Sequence, residues 1–225
     1  MLGTLRLPVL LVAAGSASSA GGTNIAISAV AAASGGYRHA REGRVDWRVV
    51  AWMAPPSIVG AVAGGLFAHR LPEQALLAAV AAVLLWQGID LAVRPFVASA
   101  PGEPRYSPAV VFGLAIGLVG GALGVILGTL RMPALLRAVR LDVRRAIGTN
   151  LVVGFLLGVA GFAAHAAELD VDWALLPAGI AGAVPGAWLG AKATGRFSET
   201  FLRRALGVVL ILVAIAFAIE AGLRS

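Results

Sequence analysis

The sequence contains no cysteine, and only 13% of its 225 residues are charged. Without cysteine, a disulfide scaffold, a thiolate metal site and a cysteine nucleophile are excluded. Motifs for Ser/His/Asp catalysis, HExxH metal binding and GxxxxGK[ST] phosphate binding are also missing. These absences argue against an enzyme, against a cofactor or metal centre, and against ATP binding through a P-loop.

What the sequence does contain is apolar. It is 59% hydrophobic, with a mean hydropathy of +0.89 and 29 glycines. Soluble domains carry about a quarter of their residues as charged ones, and a membrane-spanning helix needs about 20 mostly apolar residues. The composition therefore predicts an all-α, polytopic bundle of transmembrane helices. The net charge of +7 lies in clusters at the ends of apolar runs, which indicates topology signals and no nucleic-acid partner.

An internal repeat organises the chain. The stretch Leu127-Gly-Thr-Leu-Arg-Met-Pro133 echoes Leu2-Gly-Thr-Leu-Arg-Leu-Pro8 at six of seven positions, 125 residues earlier. A second echo, Gly148-Thr149-Asn150 after Gly22-Thr23-Asn24, has an offset of 126. We expect two homologous repeats, residues 1–98 and 108–225, joined by a Pro-rich linker at 99–107.

The apolar runs predict about seven spans. The first repeat provides residues 18–36, 49–68 and 73–93, and the second begins with residues 108–127, which have no counterpart before Leu2. We therefore expect the first repeat to lack its first span. Short proline-bearing pieces (4–15 and 132–139) accompany the spans, and Gly60 with Gly64 predicts a tight helix crossing. If the short pieces dip in and return, the repeats run parallel; if they cross, the repeats are inverted.

The repeated motif carries the candidate site. An arginine at membrane depth costs about 2.5–3.5 kcal/mol, and its guanidinium matches oxyanions. Each proline interrupts a helix, and each Gly-Thr-Asn is expected to begin one, with its amides free for an anion. The predicted substrate-binding residues are Gly3, Thr4, Arg6, Thr23, Asn24, Gly128, Thr129, Arg131, Thr149 and Asn150.

Structural alternatives stand beside these roles. Arg6 and Arg131 are equally explained as interface residues whose side chains extend to water. The Thr and Asn residues are equally explained as helix caps. His39 and His165 occupy matched positions, where a proton-linked role competes with the commoner one of a polar residue at the interface.

Taken together, the order of motifs resembles the TauE/SafE family of membrane permeases, the sulfite exporters. These motifs are a glycine-rich helix end, Gly-Thr-Leu-Arg-x-Pro, a Gly-Thr-Asn segment, a His-containing loop closing on Val-Asp-Trp, and a Gly-Ala-x-x-Gly span. The chain departs from the family at Val125-Ile126-Leu127, where glycines are usual, and at Arg6 and Arg131, where apolar residues are common.

The resemblance implies a secondary permease in the prokaryotic cytoplasmic membrane. Its partners would be the lipid bilayer and a small anion such as sulfite, sulfoacetate or a related organosulfur anion, and homo-oligomerisation is left open. The alternative is a non-transporting membrane subunit or scaffold that packs against a partner protein.

Overall fold

The computed structural model describes residues 10, 13–14, 17–68, 70–93, 104–169, 171–183 and 199–223. Within these ranges the chain is helical and contains no β-strand. A short π-helix covers Ala134–Ala138, and residues 175–183 form a further helical stretch. The numbered helices are α1 (Ala17–Arg41), α2 (Trp47–Ala68), α3 (Glu73–Val93), α4 (Ser107–Ala122), α5 (Gly128–Pro133), α6 (Val143–Ala167) and α7 (Glu199–Leu223).

The helix bounds confirm a helix at the expected positions 73–93 and correct the expected bounds of α1 and α4. Helix α1 continues to Arg41, five residues beyond the expected end of its span at residue 36. Helix α4 ends at Ala122, five residues before the expected end at Leu127. The early end coincides with Gly124, whose φ of 62° lies in the left-handed region that glycine adopts without strain.

The expectation that Gly-Thr-Asn begins a helix is wrong for both copies. Helix α6 starts at Val143 because Asp142 caps it, accepting a hydrogen bond from the amide of Arg145 at 3.0 Å. Helix α1 likewise includes Ala17, six residues before Thr23. Both motifs therefore lie beyond the first turn, where backbone amides are already bonded within the helix.

Glycines allow α2 and α4 to pack closely and in parallel. Met53 faces Gly113, Ser57 faces Gly117 and Ala61 faces Gly121, a constant separation of 60 residues. A Cβ on Gly60 would meet the carbonyl oxygen of Leu114, and one on Gly64 would lie 2.6 Å from the amide nitrogen of Ala122. The tight crossing predicted from this glycine pair is confirmed.

Two other helix pairs run antiparallel. In the α1–α6 pair, Ile25 contacts Gly161 and Gly35 contacts Leu151, so the numbers rise along one helix as they fall along the other. In the α3–α7 pair, Gly88 faces Ile211 and Ala92 faces Gly207. Helix α2 also packs on α6, in parallel, with Gly65 next to Ala164.

The segment between α4 and α6 traverses the bundle from one end to the other. At its beginning, the amide of Val125 donates to the carbonyl of Gly120 at the C-terminal end of α4. At its end, the carbonyl of Val139 accepts from the amide of Arg105 at 3.0 Å, just before α4 begins. We call residues 124–139 the crossing segment; it comprises a non-helical stretch (124–127), α5 and the π-helix.

The outer surface is apolar. Trp52, Val111, Leu212 and Ile215 are among many large hydrophobic side chains that remain exposed on the helices. Among the described residues, α2 and α6 are long and apolar enough to span a membrane, and shorter apolar helices cover Gln74–Asp90, Ser107–Ala122 and Gly207–Ile219. Exposed apolar area on this scale fits a helical membrane protein facing lipid.

Candidate functional site

Arg131 lies in the interior of the bundle, in the short helix α5 of the crossing segment. Its side chain is 0% exposed, and it is the largest of the fully buried side chains. A Cβ on Gly154, near the middle of α6, would lie 3.5 Å from its Nη1. The guanidinium is therefore held beside the middle of a long helix, inside the bundle.

One side of this guanidinium is bonded to the protein. Nη1 donates to Oδ1 of Asn150 at 3.0 Å and to the carbonyl oxygen of the same residue at 3.3 Å. Nε and Nη2 of Arg131 have no hydrogen-bond partner among the described residues, and no described carboxylate lies within ion-pair distance. A buried cation is thus oriented by an amide but left without a counter-charge, which is costly unless an anion visits it.

Asn24 and Asn150 bind the two ends of the non-helical part of the crossing segment. The Asn150 amide must present its oxygen to Arg131, because a guanidinium only donates, so its Nδ2 is turned to the carbonyl of Gly128 at 3.2 Å. Asn24 Nδ2 donates to the carbonyl of Gly124 at 2.9 Å. These asparagines, 126 positions apart, therefore position residues 124–128 beside Arg131.

Thr23 and Thr149 are both fully buried and make equivalent contacts. The hydroxyl of Thr149 accepts from the amide of Asp46 at 2.9 Å, and that of Thr23 accepts from the amide of Asp172 at 2.8 Å. Neither threonine caps its own helix. Each instead binds the residue that caps another, because Asp46 accepts from the amide of Val49 and Asp172 from the amide of Leu175.

The two histidines have different surroundings. His165 is fully buried, and its Nε2 lies 2.9 Å from the carbonyl oxygen of Gly121; since a carbonyl only accepts, Nε2 carries the proton. His39 is half-buried near the end of α1, beside Gly148. In the turn that follows, a hydrogen bond from Arg38 lowers the pKa of the exposed Glu42 carboxyl. A proton-linked role for the histidines stays a prediction.

The remaining predicted substrate-binding residues lie partly outside the described residues and partly beside Arg131. Gly3, Thr4 and Arg6 lie outside the described residues. Gly128 begins α5, and a Cβ there would lie 3.1 Å from Nδ2 of Asn150, so it belongs to the surroundings of Arg131. Thr129 follows it in α5, and its side chain lies outside the described part of the chain.

The structure also adds residues that the sequence argument did not select. Asp46 and Asp172 join the threonine contacts, and their shared offset of 126 within Val-Asp-Trp was a usable signal. Gly124 and Gly154 were not predicted, because many glycines share this composition and only tertiary contacts distinguish them.

Within the described residues, these features define a helical membrane protein whose interior holds a buried cation with no carboxylate beside it. The sequence profile of the Sulfite exporter TauE/SafE family matches residues 2–217, and the chain belongs to that family. The resemblance found in the motifs is thereby confirmed.

Relatives carry names of the same kind. The chain is 27% identical to "Probable membrane transporter protein YdhB" of Bacillus subtilis over 82% of its own length and 78% of the relative's. A "Probable membrane transporter protein" of Xylella fastidiosa is 29% identical over 85% of this chain and 77% of the relative, and one of Haemophilus influenzae is 27% identical over 88% and 80%. No solved structure shows significant similarity. Family and relatives together make the chain a membrane transporter.

Proposed function

We propose that the chain is a secondary permease that moves a small oxyanion across the cytoplasmic membrane, with Arg131 as its principal anion-binding group. The observation that carries this is the buried guanidinium at mid-height of α6, with Nε and Nη2 unpartnered among the described residues. Binding of an anion would neutralise this charge in a region of low dielectric, where such an interaction is strong.

The shape of the unpartnered edge favours substrates with at least two oxygens. Nε and Nη2 flank one edge of the planar guanidinium and can donate two parallel hydrogen bonds. Sulfite, sulfoacetate and related organosulfur anions present such a pair of oxygens. The family's description as sulfite exporters supports the same choice.

The proposed permease is multi-pass, with about seven spans in two homologous repeats at 1–98 and 108–225. Helix bounds support the repeats, because α1 (Ala17–Arg41) and α6 (Val143–Ala167) differ by 126 residues at both ends. Glu73 and Glu199, which begin α3 and α7, show the same offset.

Flux into proteoliposomes tests the function. We expect saturable uptake of sulfite or sulfoacetate, and we expect Arg131→Gln to reduce it at least tenfold. Arg131→Lys, which keeps the charge but loses the planar fork, should retain an intermediate rate.

Thermal stability supplies the control for this assay. Removing an uncompensated buried charge should leave the melting temperature of Arg131→Gln unchanged or raised, since that charge costs about 2.5–3.5 kcal/mol on insertion scales. A folded wild-type protein that moves no small anion would contradict the proposal and favour the non-transporting subunit.

A further inference from the structure

We infer that the two halves are inverted repeats, related by an approximate two-fold axis in the membrane plane, so that equivalent loops face opposite sides of the membrane. Residues are equivalent when they differ by the 126-residue offset seen in the sequence and in the helix bounds. In a two-fold relation, contacts occur in exchanged pairs: if residue i touches the equivalent of j, then j touches the equivalent of i.

The α1–α6 interface has this exchanged pattern. Ile25 is equivalent to Leu151, and Gly35 is equivalent to Gly161. A Cβ on Gly161 would lie 2.6 Å from Cδ1 of Ile25, and a Cβ on Gly35 would lie 3.1 Å from Cδ1 of Leu151. Each helix thus packs antiparallel on its own counterpart, which parallel repeats would not produce.

Polar contacts two residues away on the same two helices repeat the exchange with other elements. Thr23 accepts from the amide of Asp172, and Thr149 accepts from the amide of Asp46. Thr149 is the equivalent of Thr23, and Asp172 is the equivalent of Asp46. The same hydrogen bond therefore occurs twice, at 2.8 Å and 2.9 Å, with the roles of the two halves reversed.

Equivalent turns lie at opposite ends of α6. Gly43 and Leu169, which are equivalent, both adopt positive φ, at 68° and 60°. The first turn lies beside the N-terminal part of α6, where Gly148 packs against the carbonyl of Arg44. The second directly follows the C-terminus of α6. A helix of 25 residues is about 37 Å long, enough to separate two membrane faces.

The crossing segment explains how inversion arises. From the start of α1 to the start of α6, the chain traverses the bundle in α1, α2, α3, α4 and residues 124–139. Because the number of traversals is odd, α6 begins at the end of the bundle opposite to the end at which α1 begins. If the proposed transport holds, the halves can exchange conformations around the mid-height Arg131, opening it to each face in turn.

Matched single cysteines test the topology, because the natural chain has none. Glu42→Cys and Glu168→Cys place equivalent thiols in the two exposed turns. A membrane-impermeant maleimide should label one variant only in intact cells and the other only in inverted membrane vesicles, with labelling after denaturation as the positive control. Labelling of both from the same side would overturn the inference.

Disulfide cross-linking tests the packing without relying on membrane sidedness. The pairs Ile25→Cys with Gly161→Cys and Gly35→Cys with Leu151→Cys should cross-link on oxidation, as detected by mass spectrometry of linked peptides. The same four substitutions give the mismatched controls, Ile25→Cys with Leu151→Cys and Gly35→Cys with Gly161→Cys, which should not. Cross-linking of only the mismatched pairs would contradict inversion. Neither measurement requires transport, so failure of the proposed function would leave both results interpretable.

Discussion

At the scale of single residues, the site depends on one charge and on the amide that orients it. Arg131 has no counter-charge among the described residues, and Asn150 is the group that bonds its guanidinium. Asn150 is neutral, so it fixes the direction of the arginine without cancelling its charge. An anion site requires both properties, because a carboxylate in the same place would occupy the cation permanently.

Asn150→Asp should therefore abolish anion uptake while preserving the fold. The new carboxylate would still accept from Nη1 of Arg131, but it would neutralise the guanidinium and repel an incoming anion. Asn24→Asp is the matched control. It loses the hydrogen bond from Asn24 to Gly124 of the crossing segment, just as Asn150→Asp loses the equivalent bond to Gly128. We expect uptake to fall more than tenfold for Asn150→Asp and less for Asn24→Asp; equal losses would assign Asn150 a purely structural role.

At the scale of elements, glycines decide which helices can approach one another. The backbones of α2 and α4 lie so close together that no room remains for a Cβ at Gly60, Gly64, Gly117 or Gly121. In a membrane, helix association relies on such close packing, since lipid provides little hydrophobic drive between helices. Helices α2 and α4 therefore form a closely packed pair, and the crossing segment contacts this pair through α4.

Gly64→Ala should destabilise the protein by forcing α2 and α4 apart. The added Cβ would meet the backbone of Leu118 and Ala122, which cannot move as a side chain would. Overpacking of this kind costs about 1–3 kcal/mol, and we expect a lower melting temperature in detergent. Gly182→Ala is the control, since a Cβ there meets no atom of the described residues within 4 Å; an equal loss in both variants would refute this explanation.

At the scale of the whole molecule, exchanged contacts join the two proposed halves. Each buried threonine binds the capping aspartate of a helix in the other half, so neither half satisfies all of its buried amides alone. This arrangement couples the start of α2 to α6 and the start of the 175–183 stretch to α1. We therefore expect the proposed halves to unfold together as one cooperative unit.

Thr23→Val and Thr149→Val should destabilise the protein by similar amounts. Each leaves one backbone amide unsatisfied, at a cost of about 1–3 kcal/mol, and the double variant should show an additive loss because the two contacts share no residue. Chemical or thermal unfolding measures this, and Thr→Ser at each position, which keeps the hydroxyl, should restore most of the stability. Strongly unequal losses would contradict the equivalence of the two contacts.

Much of the helix content could be predicted from the sequence, and the boundaries less well. Span 73–93 is reproduced residue for residue, because Pro72 and Glu73 mark its start and an apolar run fills it. The start of α6 was predicted too late in the chain. The repeated Gly-Thr-Asn motif indicated a helix start, whereas Asp142 is the residue that caps the helix. The end of α4 was missed because apolar residues continue through Leu127 after the helix has ended at Ala122.

The sequence by itself determined an apolar, cysteine-free helical protein, its family resemblance and the 126-residue equivalence, because composition and repetition are properties of the chain alone. It also selected Arg131 and Asn150 as candidates. Only the tertiary structure decided that Arg131 is buried beside Asn150, that Thr23 and Thr149 contact the opposite half, and that the crossing segment traverses the bundle. The physical reason is that burial, hydrogen-bond partners and helix direction depend on residues more than a hundred positions apart, such as Thr23 and Asp172.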